Sequence, residues 1–165
     1  MATSPVLKNT CLCVPVRNEL INPAGGIVDL IDSIVPYVEH AVILDTGSTD
    51  GTLDALEYAR KKYRHLKIHK LPFRGFSYTK NYLLKQARKL SKNKSTKALF
   101  MDADERFSEK DIYKIGEFLE EYDPEICSFE FEHILPSGSR IFAPQQSERI
   151  FINSHDVRFN GEIYE

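Results

Sequence analysis

Three carboxylates close a stretch that has none. From Tyr58 to Met101 the chain carries fourteen Lys and Arg and no Asp or Glu, and then come Asp102, Asp104 and Glu105. Two carboxylates at i and i+2 just past a strand point the same way while the chain stays extended. Left alone they repel each other. A hard divalent cation with oxygen ligands relieves that repulsion, and Mg2+ or Mn2+ shared with substrate phosphates is the usual case. Such an ion neutralises charge developing on a diphosphate leaving group. The same acids also suit a polar loop that pairs with the basic segment or starts the next helix. Alone, D-x-D decides nothing.

Three more polar clusters follow apolar runs. Pro15-Val16-Arg17-Asn18-Glu19 has a proline that stops sheet pairing, then Asn18 and Glu19, which can bond a ligand or the loop backbone. Asp45-Thr46-Gly47-Ser48-Thr49-Asp50-Gly51-Thr52 puts an acid directly after a buried run, where it can accept bonds from a base or a ribose. Gly47 and Gly51 allow tight backbone and close ligand approach. Asp50 or Ser48 can cap the following helix; a well-capped turn is the alternative use of the whole cluster. Gly75-Phe76-Ser77-Tyr78-Thr79-Lys80-Asn81 opens a helix whose N-terminal amides favour anions, with Lys80 and Asn81 about one turn in. The plainer reading there is an exposed Lys80 and a capping Ser77.

These clusters need elements to position them. Apolar runs at Thr10–Val16, Ala41–Leu44, Leu66–Leu71 and Lys97–Met101 read as strands. Helical spacing fits Ile27–Val38, Asp50–Tyr63 and Ser77–Leu90, and Ser108 caps a helix running to about Tyr122. Ile126–Ile134 alternates like an edge strand, Gly138 marks a turn, and Arg140–Ala143 and Arg149–Asn153 are two further short strands. Strand-helix alternation argues for an α/β fold: a mixed, mostly parallel sheet flanked by helices. In such sheets ligands sit beyond the carboxyl ends of the strands, where all four clusters fall.

The 165 residues suit one domain, 1–165. No apolar run approaches the ~20 residues of a membrane span, and no signal peptide is evident. Cys11, Cys13 and Cys127 read as small buried hydrophobes in a reducing compartment, so the expected location is cytoplasmic. Cys11 and Cys13 should share one strand face. The net charge of −2 hides an asymmetry: after the basic block, residues Asp102 to Glu165 hold sixteen acids and six bases. Such a block can attract an anionic substrate, a nucleic acid or an acidic membrane surface, or it can be solvated helix faces. No nucleic-acid motif accompanies it. His40, His65, His69, His133 and His155 lie outside the clusters and read as surface or satisfied histidines.

Taken together, PVRNE, DTGSTDGT, KN and DAD, in this order and at these strand ends, resemble glycosyltransferase family 2, the inverting enzymes with the GT-A (Rossmann-like) fold. The resemblance implies a nucleoside-diphosphate sugar donor, a UDP-hexose first, a Mn2+ or Mg2+ cofactor, and a glycan, lipid or protein acceptor. It implies no nucleic-acid partner and leaves room for peripheral membrane contact. By resemblance, Pro15, Arg17 and Glu19 line the nucleotide pocket. Asp45, Thr46 and Gly47 meet the nucleoside; many relatives carry a second acid where Thr46 stands. Lys80 and Asn81 approach the base or phosphates, and one of Phe73, Phe76 and Tyr78 can stack on the base. Asp102 and Ala103 face the ribose or sugar, and Asp104, with Asp102, ligates the metal. The tail, R-I-F at 149–151 and F-N-G-E-I-Y-E at 159–165, is similar to the ending of one branch, except that Tyr164 replaces a His. Glu165, then Glu162, are the implied catalytic bases. The chain is expected to continue beyond Glu165 on the acceptor side. The competing expectation is a catalytically weak nucleotide-sugar-binding module.

Overall fold

The computed structural model describes residues 5–22, 25–91, 96–135 and 137–161. Six strands form one sheet in the order β3-β2-β1-β4-β6-β5. They are β1 (Leu7–Val16), β2 (Val38–Asp45), β3 (Leu66–Lys70), β4 (Lys97–Phe100), β5 (Ile126–Ile134) and β6 (Arg140–Ile152). The four helices are α1 (Gly26–Ile34), α2 (Thr52–Lys62), α3 (Phe76–Leu90) and α4 (Glu109–Tyr122). Strands β1 to β4 run parallel to one another, while β6 is antiparallel to both β4 and β5.

The alternation along β1 sorts the core. Leu12, Val14 and Val16 face a cluster with Ile27, Leu30, Ile31 and Ile34 of α1, Leu56 of α2 and Ile112 of α4. Cys11 and Cys13 face the other way, with Val42, Leu44, Leu83, Leu84 and Ala87, so α3 covers that side of β1 and β2. Each fully buried leucine here stabilises the fold by about 1.5–3 kcal/mol. The three cysteines are free and buried, and burial pushes the Cys13 thiol well above its usual range. Their expected role as inert core residues holds.

Three expectations change. The helix read over 27–38 stops at Ile34, passes through one 3-10 turn (Val35–Tyr37), and Val38 already begins β2. Pro36 lacks the amide and crowds the preceding turn, so the α-helix cannot run through it. The two short strands expected at 140–143 and 149–153 are one strand. Its register skips from Ala143↔Phe131 to Gln146↔Glu130, leaving Pro144 and Gln145 bulged out where a missing amide breaks no ladder bond. The N-cap position of α2 is taken by Gly51, in the left-handed region at φ 93°, while Asp50, one residue earlier, accepts the first helical amide, that of Thr52, on Oδ1 at 2.9 Å. Ser108 caps α4 as expected, accepting from the Asp111 amide at 3.1 Å, and β5 is the expected edge strand.

The basic block is divided by the fold. Lys67, Lys70, Lys85 and Lys89 are exposed, Lys62 pairs with Asp32, and Lys97 is buried. The Lys97 ammonium is held by Asp123 Oδ1 at 2.7 Å and by the Pro124 carbonyl, which ties β4 to the end of α4.

Candidate functional site

Parallel pairing brings the strand ends to one edge. Val16 stands opposite Asp45, Asp45 opposite Lys70, and Cys13 opposite Phe100. The loops after β1 and β2 are then laced together. Asn18 N donates to Ser48 Oγ, Glu19 N to Thr52 Oγ1 and Leu20 N to Asp50 Oδ2, while Thr49 N donates to Asn18 Oδ1 at 2.7 Å. Asn18, Ser48, Asp50 and Thr52 therefore build the loops. Thr46 is also spent on structure, since its amide and hydroxyl both donate to the Val16 carbonyl.

Asp45 is different. It is 4% exposed, and its Oδ1 accepts the amides of Gly47 and Ser48, both at 3.1 Å. Its Oδ2 is buried and has no hydrogen-bond partner among the described residues. Buried polar atoms are nearly always paired, so this oxygen is an acceptor that the surrounding chain leaves to something else. Gly47 is needed beside it: its φ is 114°, and a Cβ there would meet nothing within 4 Å, so the surface above it is open.

Nearby, Glu19 uses Oε2 to accept from Asn22 and its carbonyl to accept from Ile27. Pro15 sits in β1 opposite Leu44, and Arg17 is exposed, with no hydrogen bond or ion pair to a described residue. Lys80 lies with its ammonium 4.8 Å from the centre of the Phe159 ring. The Asn81 amide is committed to the backbone of Phe159, and Ser77 donates to the Gly161 carbonyl and does not cap α3. Phe73, Phe76 and Tyr78 are exposed along this rim, the two phenylalanines packed edge to face at 5.2 Å.

The acidic cluster corrects its own premise. The chain does not stay extended past β4. It folds into a turn in which Glu105 N donates to the Asp102 carbonyl at 3.1 Å, with Ala103 buried inside. Nor, among the described residues, do these acids pair with the basic middle segment. Glu105 Oε2 accepts the Asp102 amide, and Glu105 Oε1 forms a close ion pair with Arg149 of β6, which also lies 3.7 Å from Asp102 Oδ2. Burial pushes the Glu105 carboxyl up, against the pull of the Asp102 amide and Arg149. Arg106 threads back under the turn, donating to the carbonyls of Ala103, Glu105 and Gly26, and its burial lowers the guanidinium pKa. Asp104 is exposed and makes no hydrogen bond or ion pair with a described residue. Among the described residues no group of three or more His, Cys, Asp or Glu could hold a metal alone. Two carboxylates are nevertheless what a hard cation needs when substrate phosphates complete its shell, so the donor set fits. Arg106 and the pairing of Arg149 escaped the sequence reading, because nothing local marks a partner forty-odd residues away.

The fold defines an α/β domain of the GT-A type. Residues 11–163 match the model of Glycosyl transferase family 2, and the chain belongs to that family. Among solved structures it is similar to S. aureus TarS 1–349 in complex with UDP (24% identity, 71% of this chain and 33% of that one, TM-score 0.55). It is also similar to the mannosyltransferase PcManGT from Pyrobaculum calidifontis in complex with GDP-Man and Mn2+ (21% identity, 73% and 34%, TM-score 0.53). A more distant likeness is to 4-diphosphocytidyl-2C-methyl-D-erythritol synthase (8% identity, 87% and 75%, TM-score 0.55). At these identities the likeness shows the fold. The chain spans between 20% and 34% of the length of the TarS structures. No curated protein sequence matches it. No helix among the described residues is long and apolar enough to cross a membrane. The catalytic candidates Glu162 and Glu165, and Tyr164, lie outside the described residues.

Proposed function

We propose that this chain is the donor-binding domain of a metal-dependent, inverting glycosyltransferase that takes a nucleoside-diphosphate sugar, UDP-hexose first, and passes the sugar to a glycan, lipid or protein acceptor. The observation that carries the reading is the pairing of two unspent acids on one edge, the orphan Oδ2 of Asp45 after β2 and the uncommitted Asp104 after β4. Family membership supports it, as do the bound UDP of TarS and the GDP-Man and Mn2+ of PcManGT.

Asp45 accepts a hydrogen bond from the nucleoside, and open space over Gly47 admits it. Arg17 and Lys80 supply positive charge toward the phosphates. Asp104, with Asp102 toward the sugar, holds Mn2+ or Mg2+, which when bound neutralises charge on the leaving nucleoside diphosphate. An acceptor hydroxyl attacks the anomeric carbon from the face opposite the diphosphate, so the configuration inverts. A carboxylate, Glu165 or else Glu162, removes its proton.

The test is a thermal-shift series with UDP-, GDP- and other nucleotide sugars, with and without Mn2+. Stabilisation by one donor that needs metal, and that is lost in Asp104→Ala, is expected. Equal donor and metal response in Asp104→Ala would remove that residue from the site. Metal-dependent donor binding with no transfer to any acceptor would point to the binding-module reading.

A further inference from the structure

Arg149 reaches the acidic turn from a different strand. It sits in β6 next to Ile150, which pairs with Leu99 of β4. Its guanidinium lies 5.1 Å from the centre of the Phe131 ring of β5, and its side chain is 18% exposed. Its Nη2 holds Glu105, whose side chain is 14% exposed, and stands 3.7 Å from Asp102 Oδ2. Its Nε is buried without a hydrogen-bond partner among the described residues. The guanidinium is thus placed to meet the two carboxylates and not to complete its own hydrogen bonding. Asp104, in the same turn, makes no hydrogen bond or ion pair with a described residue and acts on Arg106 only through its charge.

Charge balance gives this arrangement a consequence. Asp102, Asp104 and Glu105 bring three negative charges and Arg106 and Arg149 two positive ones, a net of −1 around the turn. Without Arg149 the net is −2. A divalent cation arriving alone meets Asp104, which no described residue pairs, and a fixed positive charge beside the other two carboxylates, Asp102 and Glu105. A cation arriving with a diphosphate meets added phosphate oxygens and a more negative site.

We propose that Arg149 is a positioning residue that occupies Asp102 and Glu105 in the free protein, so that the cation binds firmly only together with the sugar diphosphate. This rests on the proposed donor site. It assigns Arg149 the order of binding: metal and donor enter as a pair, and Asp104 is the first ligand.

The test measures Mn2+ binding from the free-ion paramagnetic resonance signal, with and without UDP, on the folded chain. In the unmodified chain Mn2+ alone should bind weakly, and UDP should tighten it by about tenfold or more. Arg149→Met should bind Mn2+ alone about tenfold tighter and lose most of the coupling to UDP, and adding Asp102→Asn should cancel that gain. Arg149→Lys, which keeps the charge, should behave like the unmodified chain. A folded Arg149→Met with unchanged or weaker Mn2+ binding overturns the proposal, because a purely structural arginine would only loosen the turn. Should Arg149→Met not fold, the single variants decide. Asp102→Asn should leave binding of Mn2+ alone unchanged while Asp104→Asn abolishes it, and equal losses overturn the proposal. Mn2+ binding that ignores both UDP and Asp104→Asn overturns the donor site itself, whereas binding that needs Asp104 but ignores Arg149 overturns only the role of Arg149.

Discussion

Asn81 holds Phe159 from both sides: its Nδ2 donates to the Phe159 carbonyl at 2.8 Å, and its Oδ1 accepts the Phe159 amide at 2.8 Å. The Phe159 ring then packs edge to face on Phe100 at 5.2 Å, so a side chain in α3 fixes the tail against the end of β4. Asn81→Ala should cost about 1–3 kcal/mol, the price of leaving these backbone groups unpaired, read by urea denaturation. UDP affinity of the folded fraction should be unchanged. A loss of affinity at full stability would return Asn81 to the ligand.

Asp45→Asn keeps an acceptor for the Gly47 and Ser48 amides and removes the charge from the orphan oxygen. Denaturation of the ligand-free variant should show stability within about 1 kcal/mol of the unmodified chain, because an unpaired buried carboxylate oxygen is itself costly. Titration with UDP should show a clear loss of affinity, of about tenfold or more, as a charge-assisted hydrogen bond is replaced by a neutral group. A large drop in stability with full UDP binding would reverse this assignment.

Acid should weaken the fold through two surface carboxylates. Bonds from the Thr52 hydroxyl, then from the Thr52 and Leu20 amides, hold Asp50 below its ordinary 3.8. The Lys62 ammonium, then the Tyr63 hydroxyl, does the same for Asp32. A carboxylate whose folded pKa is depressed adds stability that is fully present above its unfolded value and lost as pH falls through the folded one. Denaturation midpoints of a chain carrying Asp32→Asn and Asp50→Asn should therefore lie below those of the unmodified chain at pH 6. The gap should close as pH drops below about 4. A gap that persists at pH 2.5 would rule out titration as its cause.

Gly26 begins α1 at φ 58°, and a Cβ on it would stand 2.3 Å from the Glu19 carbonyl. Gly26→Ala should lose about 1–3 kcal/mol by thermal or urea unfolding, since the blocking atom is backbone and belongs to the loop after β1. Gly47→Ala has no such neighbour and should show only the left-handed strain, about 1–2 kcal/mol. If Gly26→Ala proved the milder change, the close approach of that loop to α1 would be wrong.

Much of this was legible in the residues. Buried runs ending in Asp45 and Asp102 announced both strand ends, because a charged residue ends an apolar run where the sheet meets solvent. The parallel order followed from alternation. What failed was local: Pro36 cut a helix that apolar spacing carried onward, and a bulge let one strand pass through Pro144. What stayed hidden was non-local. Thr46, Asn18 and Asn81 look like ligand groups in one dimension, yet their partners are Val16, Thr49 and Phe159. The turn at Asp102–Glu105 depends on Arg149, a residue whose type alone gave no hint of its address.

The hydrogen bonds that cross between the loops after β1 and β2 make those loops one inheritable part. A chimera that exchanges residues 17–20 alone removes Asn18 Oδ1 and strands the Thr49 amide, and one that exchanges 46–52 alone removes the Ser48, Asp50 and Thr52 acceptors and strands the amides of Asn18, Glu19 and Leu20. Retargeting the nucleotide preference by loop swapping therefore calls for moving both segments at once, as a matched pair.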